Sequence, residues 1–261
     1  MPRYDWMTLT TDYGLTDGFV AALHGVVARR APTLRIIDVT HQIPPGDVTR
    51  GSAVLAQTVT HLPPAVHVAV VDPGVGTARR PIAIQAPDAI LVGPDNGLLP
   101  AAADALGGAL LVVHLDDPTW FLPEVSRTFH GRDVFVPVAA RLAGGASIES
   151  AGHPLDPANL VRLPDPVVSI GDGYLEAEVL TVDRFGNVQL AAAGPALDGL
   201  GDQLIAGGLR AVKGGTFGDA PPGDLVVYVD SAGRVALAIN GGRAVVALGV
   251  SAGDVLRVAN R

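Results

Sequence analysis

The chain has 261 residues, 48% of them hydrophobic and 17% charged, which suits one large domain or two modest ones with a sizeable core and excludes a disordered chain. A net charge of −8, basic residues gathered only in pairs such as Arg29-Arg30 and Arg79-Arg80, and 5% aromatics argue against a nucleic-acid partner and favour a cationic or neutral small ligand. The absence of cysteine excludes disulfides, thiolate metal sites and a cysteine nucleophile and fits a cytoplasmic protein, and no run of about 18 apolar residues argues for a membrane span.

The opening MPRYDWMTLTTDYG has no basic segment followed by an apolar one, so no signal peptide is expected. MTLTTD (7–12) reads as a strand. DGFVAALHGVVARRAP (17–32) reads as a helix, with Phe19, Val20, Leu23, Val26 and Val27 on one face and Pro32 as its stop. LRIIDVT (34–40) reads as a buried strand, DVTRGSAVLAQTVTHLP (47–63) as a helix and AVHVAVVD (65–72) as a strand. PIAIQA and AILVG form a hairpin around Pro87-Asp88, ALLVVHL (109–115) adds a strand and DVFVPVAARLAGG (133–145) a helix, whereas AAADALGGALL is merely alanine- and glycine-rich. Alternating strands and helices predict a mainly parallel sheet covered on both faces. The proline-rich GHPLDPANLVRLPDPVV (152–168) reads as a linker. Beyond Gly171, GYLEAEVLTVD, GNVQLA, DLVVYVDSAGRVALAIN and DVLRVAN read as short strands, the third a hairpin around Ser231-Ala232-Gly233. The expected fold is therefore an α/β domain over residues 1–165 and a smaller, barrel-like all-β domain over 170–261.

Asp12, Asp38 and Asp72 end the first three strands, and ligands of open α/β sheets bind beyond the strands' carboxyl ends. Such aspartates also serve as turn residues or helix caps. PGVGT can present backbone N–H groups to an anion or simply make a tight turn; it is neither a Walker motif nor a dinucleotide fingerprint. RTFHGRDVFVP (127–137) crowds Arg127, His130, Arg132 and Asp133 ahead of a helix that Asp133 can cap. A loop histidine is commonly a hydrogen-bonded bystander, the reading given to His41, His114 and His153. No HExxH or G-x-S-x-G motif is present, so neither a metal site nor a serine hydrolase is expected. In the second domain, Asn187 can read a purine edge or build a turn.

Taken in order, TLTTDYGLTDGFVAALHGV, IIDVTHQIPPGDV, VVDPGVGTARRPIAI, LVGPDNGLL, TFHGRDVFVPVAARLAGG, DRFGNVQL and VDSAGRVALAINGG resemble the S-adenosyl-L-methionine hydroxide adenosyltransferases, relatives of the fluorinases and chlorinases. The resemblance spans nearly the whole chain. It implies hydrolysis of S-adenosyl-L-methionine to adenosine and L-methionine without a cofactor. It also implies a homotrimer whose sites lie between one subunit's N-terminal domain and a neighbour's C-terminal domain. The family's catalytic constellation falls on Asp72, Arg79 and His130, expected to cluster around one water, and its ribose carboxylate on Asp12. Asp17 and Asp183 fall towards the methionine end, Asn187 towards adenine, and Ser231 and Asn240 at further adenosine contacts. The halogenases differ in the DPGV and FHG regions and carry a loop inserted before the segment matching LVGPDNGLL. The short connection from Arg80 to Leu91, and the carboxylate of Asp72 where a halide would bind, favour water as nucleophile over a halogenase. A non-catalytic adenosine or S-adenosyl-L-methionine binder is the other alternative, in which Asp72, Arg79 and His130 have no task.

Overall fold

Strand β1 (Trp6–Thr11) is buried almost throughout, as a strand covered on both faces must be. The computed structural model, which describes residues 4–261, divides into two units, one ending at Leu163 and the other running from Pro164 to Arg261. Residues 1–3, which belong to the stretch searched for a leader, lie outside the described residues.

In the first unit β1 is followed by α1 (Phe19–Arg30), β2 (Arg35–Thr40), α2 (Val48–Val59) and β3 (Val66–Val70). Next come β4 (Pro81–Ala86), β5 (Ala89–Pro94), α3 (Pro100–Ala105), β6 (Leu111–Leu115), α4 (Val136–Ala143) and β7 (Gly152–Leu155). The seven strands lie in the order β2-β1-β3-β5-β4-β6-β7. From β2 to β5 neighbours are parallel, and from β5 to β7 they are antiparallel, because the β4–β5 hairpin reverses the chain. Met7, Leu9, Leu23, Val27 and Phe135 build one core, and Leu55, Val59, Ile82, Leu91 and Leu99 another. Asp47 caps α2 by accepting from the Arg50 N–H at 2.9 Å, a contact worth about 1 kcal/mol. Within the sheet, the buried His67 of β3 lies opposite Thr8 of β1, with Nδ1 2.8 Å from the Thr8 hydroxyl.

Three expectations change. β2 is an edge strand and only partly covered, so its apolar run does not mark a buried position. The alanine-rich patch forms α3, started by Pro100, whose fixed φ suits a first helical turn. The proline-rich stretch is not all linker: residues 152–155 pair with β6 as the outermost strand, where Pro154 costs no ladder bond that a central strand would need.

The second unit contains β8 (Val168–Gly171), β9 (Tyr174–Val182), β10 (Val188–Ala193), β11 (Gln203–Ala206), β12 (Leu209–Lys213), β13 (Leu225–Val229), β14 (Arg234–Ile239), α5 (Ala244–Leu248) and β15 (Val255–Asn260). β9 pairs with both β15 and β10, which closes seven strands into a barrel, and β8 attaches outside on β9. Along β9 burial alternates residue by residue, as a barrel wall requires. Its interior is filled by small and branched side chains such as Ala177, Val179, Leu190, Val227 and Leu237. The hairpin at Ser231–Gly233 is present; the β11–β12 hairpin, turning at Gly207-Gly208, is an element the sequence reading had passed over. No helix among the described residues is long and apolar enough to cross a membrane.

Candidate active site

β1 and β3 are parallel neighbours with Thr11 opposite Val70, so the residues that follow both strands emerge at the same carboxyl edge. Asp12 and Asp72 thereby face one cleft of about 200 Å³, whose wall also includes Tyr13, Gly46, Thr128 and His130. Asp38 is not on that rim. It lies within β2 and bonds His24 instead.

Asp72 is buried and held by Arg79. The Arg79 Nε–H is shared between Asp72 Oδ1 and Oδ2 at 3.0 and 2.9 Å, and a terminal nitrogen closes a short ion pair on Oδ2. That same terminal nitrogen lies 2.8 Å from His130 Nδ1. The guanidinium group stands 5.2 Å from the centre of the Phe135 ring. Arginine carries only donors, so His130 Nδ1 must accept, which leaves the imidazole neutral with its proton on Nε2. Burial and the Arg79 charge both hold the His130 pKa below the ordinary histidine value, in agreement with that tautomer.

The PGVG turn brings these residues together. The N–H groups of Val75 and Thr77 bond the carbonyls of Asp72 and Gly74, so the turn reading holds and those two groups do not point at an anion. Gly76 has φ +76°, and a Cβ there would collide with the Arg127 carbonyl; the turn and the loop carrying His130 thus touch backbone to backbone. His130 leads into a π-helical turn at Gly131–Phe135, a geometry common at functional sites. Asp133 is fully buried and does not cap a helix. Its carboxylate accepts from the Ser126 N–H at 2.8 Å and from Arg132, and so ties down the loop before His130.

Asp12 Oδ2 accepts from the Gly46 N–H at 2.8 Å, which orients the carboxylate and leaves Oδ1 for a ligand. Tyr13 was missed by sequence reasoning. It lines the cleft with its hydroxyl packed against Gly131, and its ring meets Phe129 edge-on at 5.6 Å. Burial, then the Asp12 and Asp72 carboxylates, push its pKa far above the usual tyrosine value, so it stays a neutral hydroxyl. Its position directly after Asp12 was the available signal. Gly46 and Thr128 had none, since one acts through its backbone and the other is an ordinary loop residue.

Two family models match the chain: the SAM hydroxide adenosyltransferase N-terminal domain over residues 7–152 and the C-terminal domain over residues 177–257. The chain belongs to the SAM hydroxide adenosyltransferase family. A relative from Salinispora arenicola named (R)-S-adenosyl-L-methionine hydrolase is 63% identical over 99% of each chain. One of the same name from Thermus thermophilus is 40% identical over 95% of this chain and 97% of its own. A fluorinase from an Actinoplanes species is 28% identical over 88% and 89%. A solved structure of an uncharacterized conserved protein from Thermotoga maritima superposes with a TM-score of 0.90 at 33% identity, covering 97% of this chain and 99% of that one.

In the adenosyltransferase C-terminal domain of this chain, Asp183 and Asn187 are bound to each other. Asp183 Oδ1 accepts from the N–H groups of Phe185 and Asn187, both at 2.9 Å, and Oδ2 from the Asn187 side-chain amide at 2.7 Å. The pair therefore builds the DRFGN turn and presents Phe185, 75% exposed, at its tip. Among the described residues no hydrogen bond engages the Asn187 amide oxygen, which leaves it as an acceptor. Ser231 is exposed in the β13–β14 turn, which is built by its neighbour Asp230 accepting from the Ala232 and Arg234 N–H groups. The Asn240 amide donates to the Ala220 carbonyl at 2.7 Å and is a structural tie. In the N-terminal domain, Asp17 is exposed in the loop ahead of α1 and is not part of the cleft wall.

Proposed function

We propose that this chain hydrolyses S-adenosyl-L-methionine to adenosine and L-methionine by in-line attack of water on the ribose C5′. The observation that carries the reading is the bridge of Arg79 between Asp72 and His130 beside Asp12. Displacement at this primary carbon releases a neutral thioether from a sulfonium, so the leaving group needs no proton. The difficulty lies with the nucleophile, because water is weak and hydroxide scarce at neutral pH. Positioning it in line with the C5′–S bond can contribute up to about 7–11 kcal/mol, and a placed base a further 10²–10⁴-fold or so.

Three of the roughly four acceptor positions of the Asp72 carboxylate are taken by Arg79, leaving one for a water proton. His130 Nδ1 is engaged by Arg79, so its Nε2–H is the group free to donate to the water oxygen. We therefore assign proton acceptance to Asp72, water orientation to His130 and the fixing of both to Arg79. Arg79 alone would repel a sulfonium; paired with Asp72 its charge is offset. Asp12 Oδ1 receives the ribose hydroxyls, Asp17 and Asp183 serve the methionine end, and Asn187, Ser231 and Asn240 the adenosine, with Asn240 acting by positioning backbone. No cofactor takes part in this scheme.

The names of the relatives extend the proposal to the (R) epimer at sulfur. A homotrimer and a cytoplasmic location belong to the same reading. A cleft of about 200 Å³ is small against the roughly 300–1,000 Å³ of ordinary ligand pockets, which agrees with a neighbouring subunit completing it. Incubation with each sulfonium epimer, with and without chloride, followed by nucleoside separation tests the proposal. Adenosine, formed faster from the (R) epimer, is the expected product; 5′-chloro-5′-deoxyadenosine or unchanged substrate would refute it.

A further inference from the structure

Away from the cleft, α1, β2 and the residue just past β2 bring together two imidazoles and a carboxylate. His24 Nε2 and His41 Nε2 each lie 3.0 Å from the same oxygen, Asp38 Oδ1, and the three ligand atoms fall within 4.8 Å of one another. His41 is 4% exposed, and its Nε2 is buried without a hydrogen bond, because the short approach to Asp38 lacks hydrogen-bond alignment. The ring is held from behind: its Nδ1 lies 2.8 Å from the Thr11 hydroxyl, which fixes the direction in which Nε2 points. Asp38 and His24 are about 40% exposed at their side chains, so the cluster opens to solvent on the side away from His41.

From this geometry we infer a binding site for one first-row divalent transition-metal ion, with His24, Asp38 and His41 as its protein ligands. Two imidazoles and one carboxylate suit zinc, iron or cobalt rather than magnesium or calcium, which prefer all-oxygen sites. Bonds of about 2.0–2.1 Å place neighbouring ligands about 3.4 Å apart on a tetrahedral ion and about 3.0 Å apart on an octahedral one. The two 3.0 Å separations therefore match the octahedral spacing and lie a small side-chain rotation from the tetrahedral one. A cation shared between Asp38 and His41 would satisfy the buried nitrogen that the protein leaves unbonded. Thr11 acts as the outer partner that orients a ligating histidine. The site also borders the substrate cleft: Thr11 Oγ1 accepts from the Tyr13 N–H, and the His41 carbonyl from the Gly14 N–H at 2.7 Å. An ion here would brace the loop that carries Asp12. Spacing along the chain hides the site, since its ligands come from two segments, α1 and the end of β2, with no metal motif among them.

The test uses tag-free, chelator-treated full-length protein. Cobalt(II) is followed by its visible absorption and zinc by calorimetry. One ion per chain is expected, with ligand-field bands and a raised melting temperature, and with no displacement by millimolar magnesium. His24→Ala and Asp38→Asn change exposed side chains and are expected to weaken binding at least 10-fold with the circular dichroism unchanged. His153→Ala, which removes an exposed histidine paired elsewhere with Asp116, is expected to leave binding intact. Failure to reach one saturable ion per chain, full affinity in His24→Ala, displacement by magnesium, or equal loss in His153→Ala would each overturn the inference.

Discussion

Arg79→Met is expected to lower the turnover of S-adenosyl-L-methionine by about 10³-fold or more, because it removes in one step the partner of Asp72 and the donor to His130. Arg79→Lys should still lose about 10²-fold: a point charge on a flexible stem cannot hold a carboxylate and an imidazole with a rigid fork. Stability will respond as well. Arg79 and Asp72 are 9% and 4% exposed at their side chains, so removing the cation strands a buried carboxylate at a cost of about 3–5 kcal/mol. The double variant Arg79→Met, Asp72→Asn separates the two effects. It should recover much of the stability in urea unfolding and none of the activity. Recovery of turnover along with stability would mean that the pair only supports the fold.

The second large effect concerns acid. His67 is 1% exposed on β3, and burial pushes its pKa from 6.5 down to about 4. The unfolded chain takes up a proton near pH 6.5 while the folded chain refuses it until about pH 4. Unfolded molecules therefore bind more protons in that window, and stability falls as pH is lowered through it, by about 3 kcal/mol in all, with no contribution from this group above pH 6.5 or so. His67→Gln keeps a polar atom for Thr8 and has nothing to titrate, so its urea-unfolding free energy should lose that part of the slope between pH 6.5 and 4. Parallel pH profiles for the two proteins would show that His67 is not the group responsible.

How far the molecule could be read beforehand depended on where each signal resides. β1, α1, α2 and β3 carry their structure in local periodicity and stops, and the structure finds them within a residue or two, except that α2 ends at Val59, short of the expected residue 63. α3 and β7 do not: an alanine-rich run has no amphipathic face to reveal it, and a proline-bearing edge strand looks like linker because only its neighbour β6 makes it a strand. That Asp72, Arg79 and His130 come together was legible through motif resemblance and strand-end position, yet the part proposed for each was not. That His130 offers Nε2–H and keeps Nδ1 for Arg79 follows from a contact across 51 positions, which no spacing rule contains. Asp133 and Asn240 show the reverse case, in which a polar residue in a promising segment is spent on holding loops together. Tyr13 had one signal, its place directly after the strand-end Asp12, but its side chain alone does not separate it from a core tyrosine.

Running the reaction in H2(18)O tests the central claim most directly, with the released adenosine and methionine analysed by mass spectrometry. Attack by water on C5′ predicts one heavy oxygen in the 5′-hydroxyl of adenosine and none in methionine. Adenosine without the label, or label appearing in the methionine product, would contradict the account.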